Sequence, residues 1–509
     1  MRLVMGKPIV MAIVLSFIGT CFLFWAQSEK GFGRGDEGFL WYGVQRVMQG
    51  EVPIRDFDAY DPGRYYLSAG LMALMHSDGV LSLRTTQYLI QFLAVALALW
   101  IVASQGRQPG IVMLVLAAVI FFVWMIPRHK FYDIYISIIY VFLLPKLLRQ
   151  PSRRQYFITG IVVGVIAFFG RNHALYGFLA AFACMIWLRV VEREGLPLTS
   201  ATIWYFSGMA VGGSPLLGMM LIPGFAEAYW KSILYIFKLK STNITLPLPW
   251  PWALDFKSLS FDAALRASLV GIYFMAIVLY GFVTILYCLI YRKKTDQSRP
   301  VLVSTSILSL VYAHYVFSRA DIEHLTHSIF PMLIGLLVFF TSRRPFVKWM
   351  ASSLLCATSF FVACIYHPGW QYLVAGDWVT VTMDNDHVIV DSRTARQWRL
   401  LEQLVSRYAA NGESFLSVPF WPGAYPALSR KSPMWDIYAT RPRSITSQEH
   451  EITRIHNAAP RFVFLCDYCL DGREELCFRN TNPLIYQYIE KNFKQIQSEL
   501  APDYLVFVW

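Results

Sequence analysis

Long apolar runs alternate with short polar segments along most of this chain. Each run could form a helix of roughly 17–25 residues, the length needed to cross the ~30 Å hydrocarbon core of a bilayer. Eleven such runs lie near residues 7–26, 82–104, 109–127, 131–148, 155–171, 173–189, 201–222, 266–291, 300–317, 325–342 and 347–366. The pattern predicts an α-helical polytopic membrane protein with about 11 transmembrane helices.

The composition agrees with that architecture. Hydrophobic residues make up 56% of the 509 residues and charged residues only 15%, whereas about a quarter of a soluble protein is charged. The net charge of +12 does not indicate a nucleic-acid partner. The basic residues cluster between the apolar runs, as they do in loops that stay in the cytoplasm. The expected surroundings of the chain are therefore membrane lipid.

The distribution of basic residues predicts the orientation. Alternate polar segments are rich in lysine and arginine and poor in acids, and such segments stay on the cytoplasmic side. They hold Arg2, Lys7, Arg107, Lys146, Arg149, Arg153, Arg154, Arg189, Arg193, Arg292, Lys293, Lys294, Arg299, Arg343, Arg344 and Lys348. We expect a multi-pass protein of the inner (cytoplasmic) membrane. Its N-terminus, with an uncleaved first helix, would be cytoplasmic and its C-terminus periplasmic.

Two domains are expected. Residues 1–366 would form the transmembrane domain, whose first periplasmic loop (27–81) holds two interfacial helices. The first of these, 39–48, would turn its aromatic side chains toward lipid, and the second would cover 62–75. Residues 367–509 contain no further span, and their alternating strand and helix patterns predict an α/β periplasmic domain.

An acidic pair, Asp36-Glu37, follows the first span by about ten residues and lies in the glycine-rich segment 31–38. Glycine lets the backbone bend sharply and approach a ligand closely. Two carboxylates just outside a membrane suit acid–base chemistry at the bilayer surface. The alternative for both residues is structural. Either could cap the helix that follows, and Glu37 could also orient Asp36.

The outer ends of the spans carry cations against the usual orientation bias. An anionic ligand would explain them, because arginine offers donors that match a phosphate. Headgroup anchoring, or pairing among neighbours such as Asp133 with Arg128 or Lys130, is the structural alternative. The basic residues are Arg64, Arg128, Lys130, Arg171, His173, Arg319 and His324, and the same turns hold the acids Asp133 and Asp321.

Three cysteines, Cys466, Cys469 and Cys477, lie in the C-terminal domain. Cys466 and Cys469 have the spacing of a zinc or redox pair, but no second pair accompanies them. In an oxidising compartment we expect a structural disulfide among the three, with the third thiol left over.

Segments 36–38, 45–56 and 60–67, together with Asp133 at the start of the fourth span, resemble the GT-C membrane glycosyltransferases. The similarity is to the bacterial relatives of protein O-mannosyltransferases and of lipid A aminoarabinose transferases. It covers most of the chain and implies a GT-C-like fold. One departure is that a lysine which grips the donor phosphate in some relatives has no counterpart here. Arg64 is its expected substitute.

The resemblance implies an inverting transfer of a sugar from a polyprenyl-phosphate donor. Asp36 would take the proton from an acceptor hydroxyl, with Glu37 and Asp133 as the other catalytic carboxylates. The donor phosphate would be bound by Arg64, Arg128, Lys130, Arg171, His173 and Arg319. Further substrate contacts would come from Asp61, Tyr65, Asp321 and His324. No cofactor is expected, and no metal is demanded, because the donor contains no phosphate bridge to a nucleotide.

Two other functions remain open. A carrier or flippase of a lipid-linked substrate usually places charges at the membrane midplane, where the predicted spans have none. A polysaccharide polymerase or ligase would use arginine and histidine in one large outer loop. The sequence indicates neither the sugar nor the acceptor, which would be a glycan, lipid or protein of the cell envelope.

Overall fold

The computed structural model describes residues 2–104, 109–239, 243–291, 296–466, 468–497 and 504–509. Its helices are α1 (Arg2–Gln27), α2 (Asp36–Met48), α3 (Gly63–Leu74), α4 (Val80–Ser104), α5 (Ile111–Trp124), α6 (Phe131–Arg149), α7 (Arg153–Phe169), α8 (Arg171–Trp187), α9 (Leu198–Gly212), α10 (Ser214–Met220), α11 (Phe225–Leu239), α12 (Phe261–Ile290), α13 (Arg299–Ser318), α14 (Ile322–Thr341), α15 (Pro345–Ala363), α16 (Pro368–Val374), α17 (Ser392–Tyr408), α18 (Ala424–Ala427), α19 (Ile445–Ala458), α20 (Phe478–Thr481) and α21 (Pro483–Asn492). Its strands are β1 (Trp378–Met383), β2 (Asp386–Asp391), β3 (Leu416–Val418), β4 (Phe462–Cys466), β5 (Lys494–Ile496) and β6 (Tyr504–Val508).

Helices occupy all eleven predicted spans. Eight of the described helical segments are long and apolar enough to cross a membrane, namely α1, α4, α6, α8 and α12 to α15. Shorter helices, α5, α7 and α9, occupy the other three runs. The run 201–222 is not one helix, because α9 ends at Gly212 and the proline near the start of α10 cannot continue its hydrogen bonding. The chain is a multi-pass membrane protein, and eleven crossings stay a prediction.

The described residues form two compact units. Unit 1 comprises residues 1–26 and 87–371, and it holds most of the apolar helices. Unit 2 comprises residues 27–86 and 372–509, so the residues of the predicted first periplasmic loop cluster with the C-terminal residues. The domain boundary expected at residue 366 stays a prediction.

Helix α13 lies at the centre of unit 1, where it packs against α6, α8, α12 and α14. Helices α7 and α9 approach each other closely at glycines. A Cβ on Gly160 would lie 2.0 Å from the Tyr205 carbonyl oxygen, and one on Gly208 would lie 2.1 Å from that of Phe157. Small residues at such crossings let membrane helices pack backbone to backbone.

Unit 2 contains a four-stranded sheet in the order β3-β4-β6-β5, with β3 and β4 parallel and the other neighbours antiparallel. Strand β4 is buried along its whole length, and its Phe464 is paired with Val506 of β6. Strands β1 and β2 form a separate antiparallel hairpin. The α/β fold predicted for the C-terminal residues is therefore confirmed.

Helices α2 and α3 confirm the two helices predicted in the first outer loop, but the orientation predicted for α2 is wrong. Phe39 and Tyr42 are buried inside unit 2 rather than turned toward lipid. Phe39 packs against Tyr438, and Tyr42 packs against Tyr425, each at 5.7 Å between ring centroids. An aromatic helix face suits a protein core as well as lipid. The residues that cover this face of α2, Tyr425 and Tyr438, lie almost 400 residues further along the chain.

Candidate functional site

The first candidate cluster lies in unit 2, at the N-terminal end of α2. Asp36 and Glu37 are the first two residues of this helix, where the helix dipole favours negative charge. Arg84 is fully buried and binds the Glu37 carboxylate at 2.8 Å (Nε to Oε1) and 2.9 Å (Nη2 to Oε2). Glu37 also accepts a hydrogen bond from the Gly33 amide at 3.0 Å. This geometry favours the structural alternative for Glu37, which anchors the helix beside Asp36.

Asp36 has a different environment. Its side chain is half-buried, and Oδ1 accepts a hydrogen bond from the Tyr60 hydroxyl at 3.3 Å. The Tyr60 ring packs against Phe39 at 4.9 Å, and the Arg64 guanidinium lies 4.8 Å from the same ring. Tyr60, which the sequence did not single out, therefore links two of the predicted site residues, Asp36 and Arg64.

The predicted substrate contacts of this loop, Asp61 and Tyr65, are both buried. The Tyr65 hydroxyl accepts a hydrogen bond from the Tyr60 amide at 3.0 Å. Burial raises the pKa of Tyr65 well above its ordinary value, so the hydroxyl stays protonated. Tyr65 therefore fixes the backbone of Tyr60, and its contact with a substrate stays a prediction.

The second candidate cluster lies in unit 1, at the N-terminal ends of α6 and α8 and the C-terminal half of α13. Asp133 and His173 are both buried, and His173 Nε2 lies 2.9 Å from Asp133 Oδ1. The other ring nitrogen, Nδ1, lies 3.1 Å from the Tyr312 hydroxyl. Because both nitrogens are engaged, the geometry favours a role for His173 in holding Asp133 over the predicted contact with a phosphate. Tyr312 was missed because it stands within an apolar run.

Three of the predicted cations stand at helix starts in the same unit. Arg128 and Lys130 belong to a single 3-10 turn that leads directly into α6. Arg171 is the first residue of α8. Its Nη1 donates to the Ser232 hydroxyl at 2.7 Å, and its guanidinium lies 4.6 Å from the Tyr229 ring. Arg171 is therefore attached to α11.

Asp321 caps α14 and gathers the two other predicted residues of its turn. Its Oδ1 accepts from the His324 amide at 2.9 Å and lies 2.7 Å from His324 Nδ1, and its Oδ2 accepts from Arg319 Nε at 2.7 Å. Burial acts to raise the pKa of Asp321, but the His324 hydrogen bond and the positive charges outweigh it, so this pKa lies below its ordinary value. Arg319, Asp321 and His324 therefore pair with one another, which is the structural alternative expected for this turn.

One group of side chains in unit 2 has the composition of a metal site. Cys469, Glu474 and Cys477 lie close together, but the two cysteines form a disulfide, so their sulfurs are not available as ligands. The predicted disulfide is confirmed, and Cys466 is the thiol left over.

Comparison with known proteins shows the fold. No family model matches the chain, and no curated protein matches it in sequence. The structure of ArnT from Cupriavidus metallidurans bound to undecaprenyl phosphate is similar, with a TM-score of 0.59 and 10% identity over 98% of this chain and 97% of that one. The GT-C-like fold predicted from the sequence is thereby confirmed.

A second structure is the oligosaccharyltransferase AglB from Archaeoglobus fulgidus, in complex with an inhibitory peptide and a dolichol-phosphate. It has a TM-score of 0.41 and 9% identity over 99% of this chain and 74% of that one. This score is too low to support an argument.

Proposed function

We propose that this protein is an inverting glycosyltransferase that moves a sugar from a polyprenyl-phosphate donor to an acceptor at the outer face of the cytoplasmic membrane. The observation that carries the proposal is the fold shared with ArnT over nearly the whole chain, because that structure contains undecaprenyl phosphate, a polyprenyl phosphate. The apolar helices of unit 1 suit such a ligand, since its hydrocarbon tail belongs in a bilayer.

Asp36 is proposed as the general base. It would accept the proton of an acceptor hydroxyl while that oxygen bonds to the anomeric carbon of the donor sugar. The bond from this carbon to the phosphate oxygen breaks on the opposite side, so the anomeric centre inverts and polyprenyl phosphate leaves with the electron pair. The two carboxylates at the start of α2 support this division of roles. Arg84 neutralises Glu37, whereas half-buried Asp36 accepts only a long hydrogen bond from Tyr60 within the described part of unit 2.

The departing phosphate gains negative charge, so cations would stabilise the transition state. Asp133, held by His173, is proposed as a second carboxylate that contacts the substrate. Asp61, Tyr65, Asp321 and His324 stay proposed substrate contacts, and the cations proposed for the phosphate are Arg64, Arg128, Lys130, Arg171 and Arg319.

The test is sugar transfer in membranes that contain wild-type protein or the Asp36→Asn variant. Mass spectrometry of envelope glycans and glycolipids from a knockout strain first identifies the sugar and the acceptor. We expect Asp36→Asn to lose about 10²–10⁴-fold in transfer rate, which is the usual contribution of a general base. It should still bind undecaprenyl phosphate.

Asp56→Asn is the matched control, because Asp56 lies in the same loop and pairs with the partly exposed Arg55. Its transfer rate should equal that of the wild type. Full transfer by Asp36→Asn would remove the proposed base. Movement of the lipid across the membrane without any transfer would favour the carrier instead.

A further inference from the structure

His327 of α14 is a buried histidine with an unused nitrogen. Its side chain is 0% exposed, and its Nδ1 lies 3.3 Å from the Tyr315 hydroxyl. Nε2 has no hydrogen-bond partner among the described residues. A buried polar atom without a partner is costly, and native proteins keep few of them, so each calls for an explanation.

The neighbours of His327 are polar rather than lipid-like. Its ring lies 5.4 Å from the Tyr315 ring and 5.8 Å from the His324 ring, measured between centroids. The charges of Asp133 and Lys130 also act on it. His327 therefore belongs to the same cluster as the predicted site residues of unit 1, although its place within an apolar span concealed it in the sequence.

Two other histidines of this cluster use both nitrogens inside the protein. His173 contacts Asp133 and Tyr312, and His324 lies 2.7 Å from Asp321 and 2.6 Å from Asn243. His327 differs from both because one of its nitrogens remains available.

The Tyr315 contact is compatible with a proton on Nε2 of the ring. If the Tyr315 hydroxyl donates to Nδ1, the proton of the neutral imidazole is on Nε2, which then needs an acceptor. A phosphate oxygen is such an acceptor, and hydrogen bonds to a charged acceptor are shorter and stronger than neutral ones.

We propose that His327 binds the phosphate of the lipid donor by donating a hydrogen bond from Nε2 to a phosphate oxygen. This inference rests on the proposed function and adds a residue to the phosphate site. It adds the neutral donor His327 to the cation Lys130, whose charge acts on it, and it leaves His173 to hold Asp133.

The test measures two quantities on purified full-length protein in nanodiscs, namely the affinity for undecaprenyl phosphate and the midpoint of thermal unfolding. His327→Phe should bind about tenfold more weakly or worse, because a hydrogen bond to a charged group is lost. Its unfolding midpoint should be unchanged or higher, since phenylalanine removes the unpaired donor. His327→Gln should keep an affinity within about threefold of the wild type, because the glutamine amide presents an N–H group at a similar reach.

His367→Phe is the contrasting control. His367 Nε2 donates to the Val123 carbonyl oxygen at 3.0 Å. Its other nitrogen, Nδ1, also has no partner among the described residues, but it carries no proton in the neutral ring and cannot donate to a phosphate. This variant should therefore lower the unfolding midpoint and leave the affinity unchanged. A His327→Phe protein that binds as tightly as the wild type, or whose midpoint falls as in His367→Phe, would overturn the inference. Failure of the wild type to bind undecaprenyl phosphate would instead contradict the proposed function.

Discussion

Arg84 binds the Glu37 carboxylate through two parallel hydrogen bonds and also donates hydrogen bonds to the backbone of the same loop. The guanidinium also donates to the carbonyl oxygens of Ser28 and Gly31, each at 2.6 Å. One buried side chain thus ties the N-terminal end of α2 to the segment that follows α1. A buried charge pair is tolerated when its hydrogen bonds are satisfied in this way.

Replacing Arg84 should therefore destabilise unit 2 strongly. Arg84→Met leaves the Glu37 carboxylate buried without its cation, which should cost about 3–5 kcal/mol of unfolding free energy. In a double-mutant cycle, Arg84→Met with Glu37→Met should cost clearly less than the sum of the single changes. Thermal unfolding of the four proteins provides the comparison.

Arg55→Met is the control and should cost no more than about 1 kcal/mol, because Arg55 and Asp56 are partly exposed. Additive losses would show that the pair is not coupled.

The Asp133–His173–Tyr312 chain predicts a ranking of variants. His173→Phe removes the partner of a buried carboxylate, so it should cost roughly 3–5 kcal/mol. Tyr312→Phe removes only a neutral hydrogen bond to the other nitrogen and should cost about 1 kcal/mol. Unfolding midpoints of the purified proteins measure both. If Tyr312→Phe lost as much as His173→Phe, the imidazole would not be the main support of Asp133.

The Cys469–Cys477 disulfide closes a short loop, with a sequence separation of 8. Loop-closure entropy assigns such a bond about 2–3 kcal/mol. The Cys469→Ser/Cys477→Ser variant should therefore unfold at a lower temperature than the wild type, and a reducing agent should lower the midpoint of the wild type but not of the variant. Cys466→Ala, which removes the cysteine outside the disulfide, should keep the response to reduction. A wild-type midpoint that is insensitive to reduction would contradict the prediction.

Much of the fold follows from local pattern. A membrane helix needs a long apolar run, and such runs are visible residue by residue, so helices stand at every predicted span. The break between α9 and α10 was also legible in principle, because Pro215 lies inside the run. The burial of α2 could not be predicted in the same way, because periodicity identifies an apolar helix face but not what covers it.

The candidate site was less predictable for a related reason. Asp36, Asp133 and Arg64 could be singled out because they are charged residues close to the predicted outer ends of apolar spans or in the loop between them. Arg84 looks like an ordinary interfacial arginine, because its partner is 47 residues away. Buried pairing across such distances depends on tertiary packing, which one sequence does not display.

A cluster of carboxyl groups in unit 2 should make the stability of the protein depend on pH. Asp58 and Glu451 flank Asp436, whose Oδ2 accepts a hydrogen bond from Arg443. Arg443 also lies 3.8 Å from Asp58, and Glu451 accepts from the Trp435 amide at 2.9 Å. Burial, reinforced by the negative charge of Asp436, raises the pKa of Asp58 to about 7, and the same two causes raise that of Glu451 to about 7. The charges of Arg443, Arg441 and Arg454 oppose these shifts.

The native state therefore keeps protons that the unfolded chain has already released above about pH 4–5. Stability should fall as the pH rises from 5 to 8, with a slope of at most about 1.4 kcal/mol per pH unit for each group. Asp58 should contribute less than this limit, because its side chain is 26% exposed.

Asp58→Asn and Glu451→Gln should each flatten the dependence of the unfolding midpoint on pH, measured at constant ionic strength. Asp56→Asn should leave the slope unchanged, since Arg55 holds the pKa of Asp56 below its ordinary value against the opposing effect of burial. A midpoint that rises between pH 5 and 8, in a way that neither variant alters, would show that these two carboxyls are ionised in the folded protein.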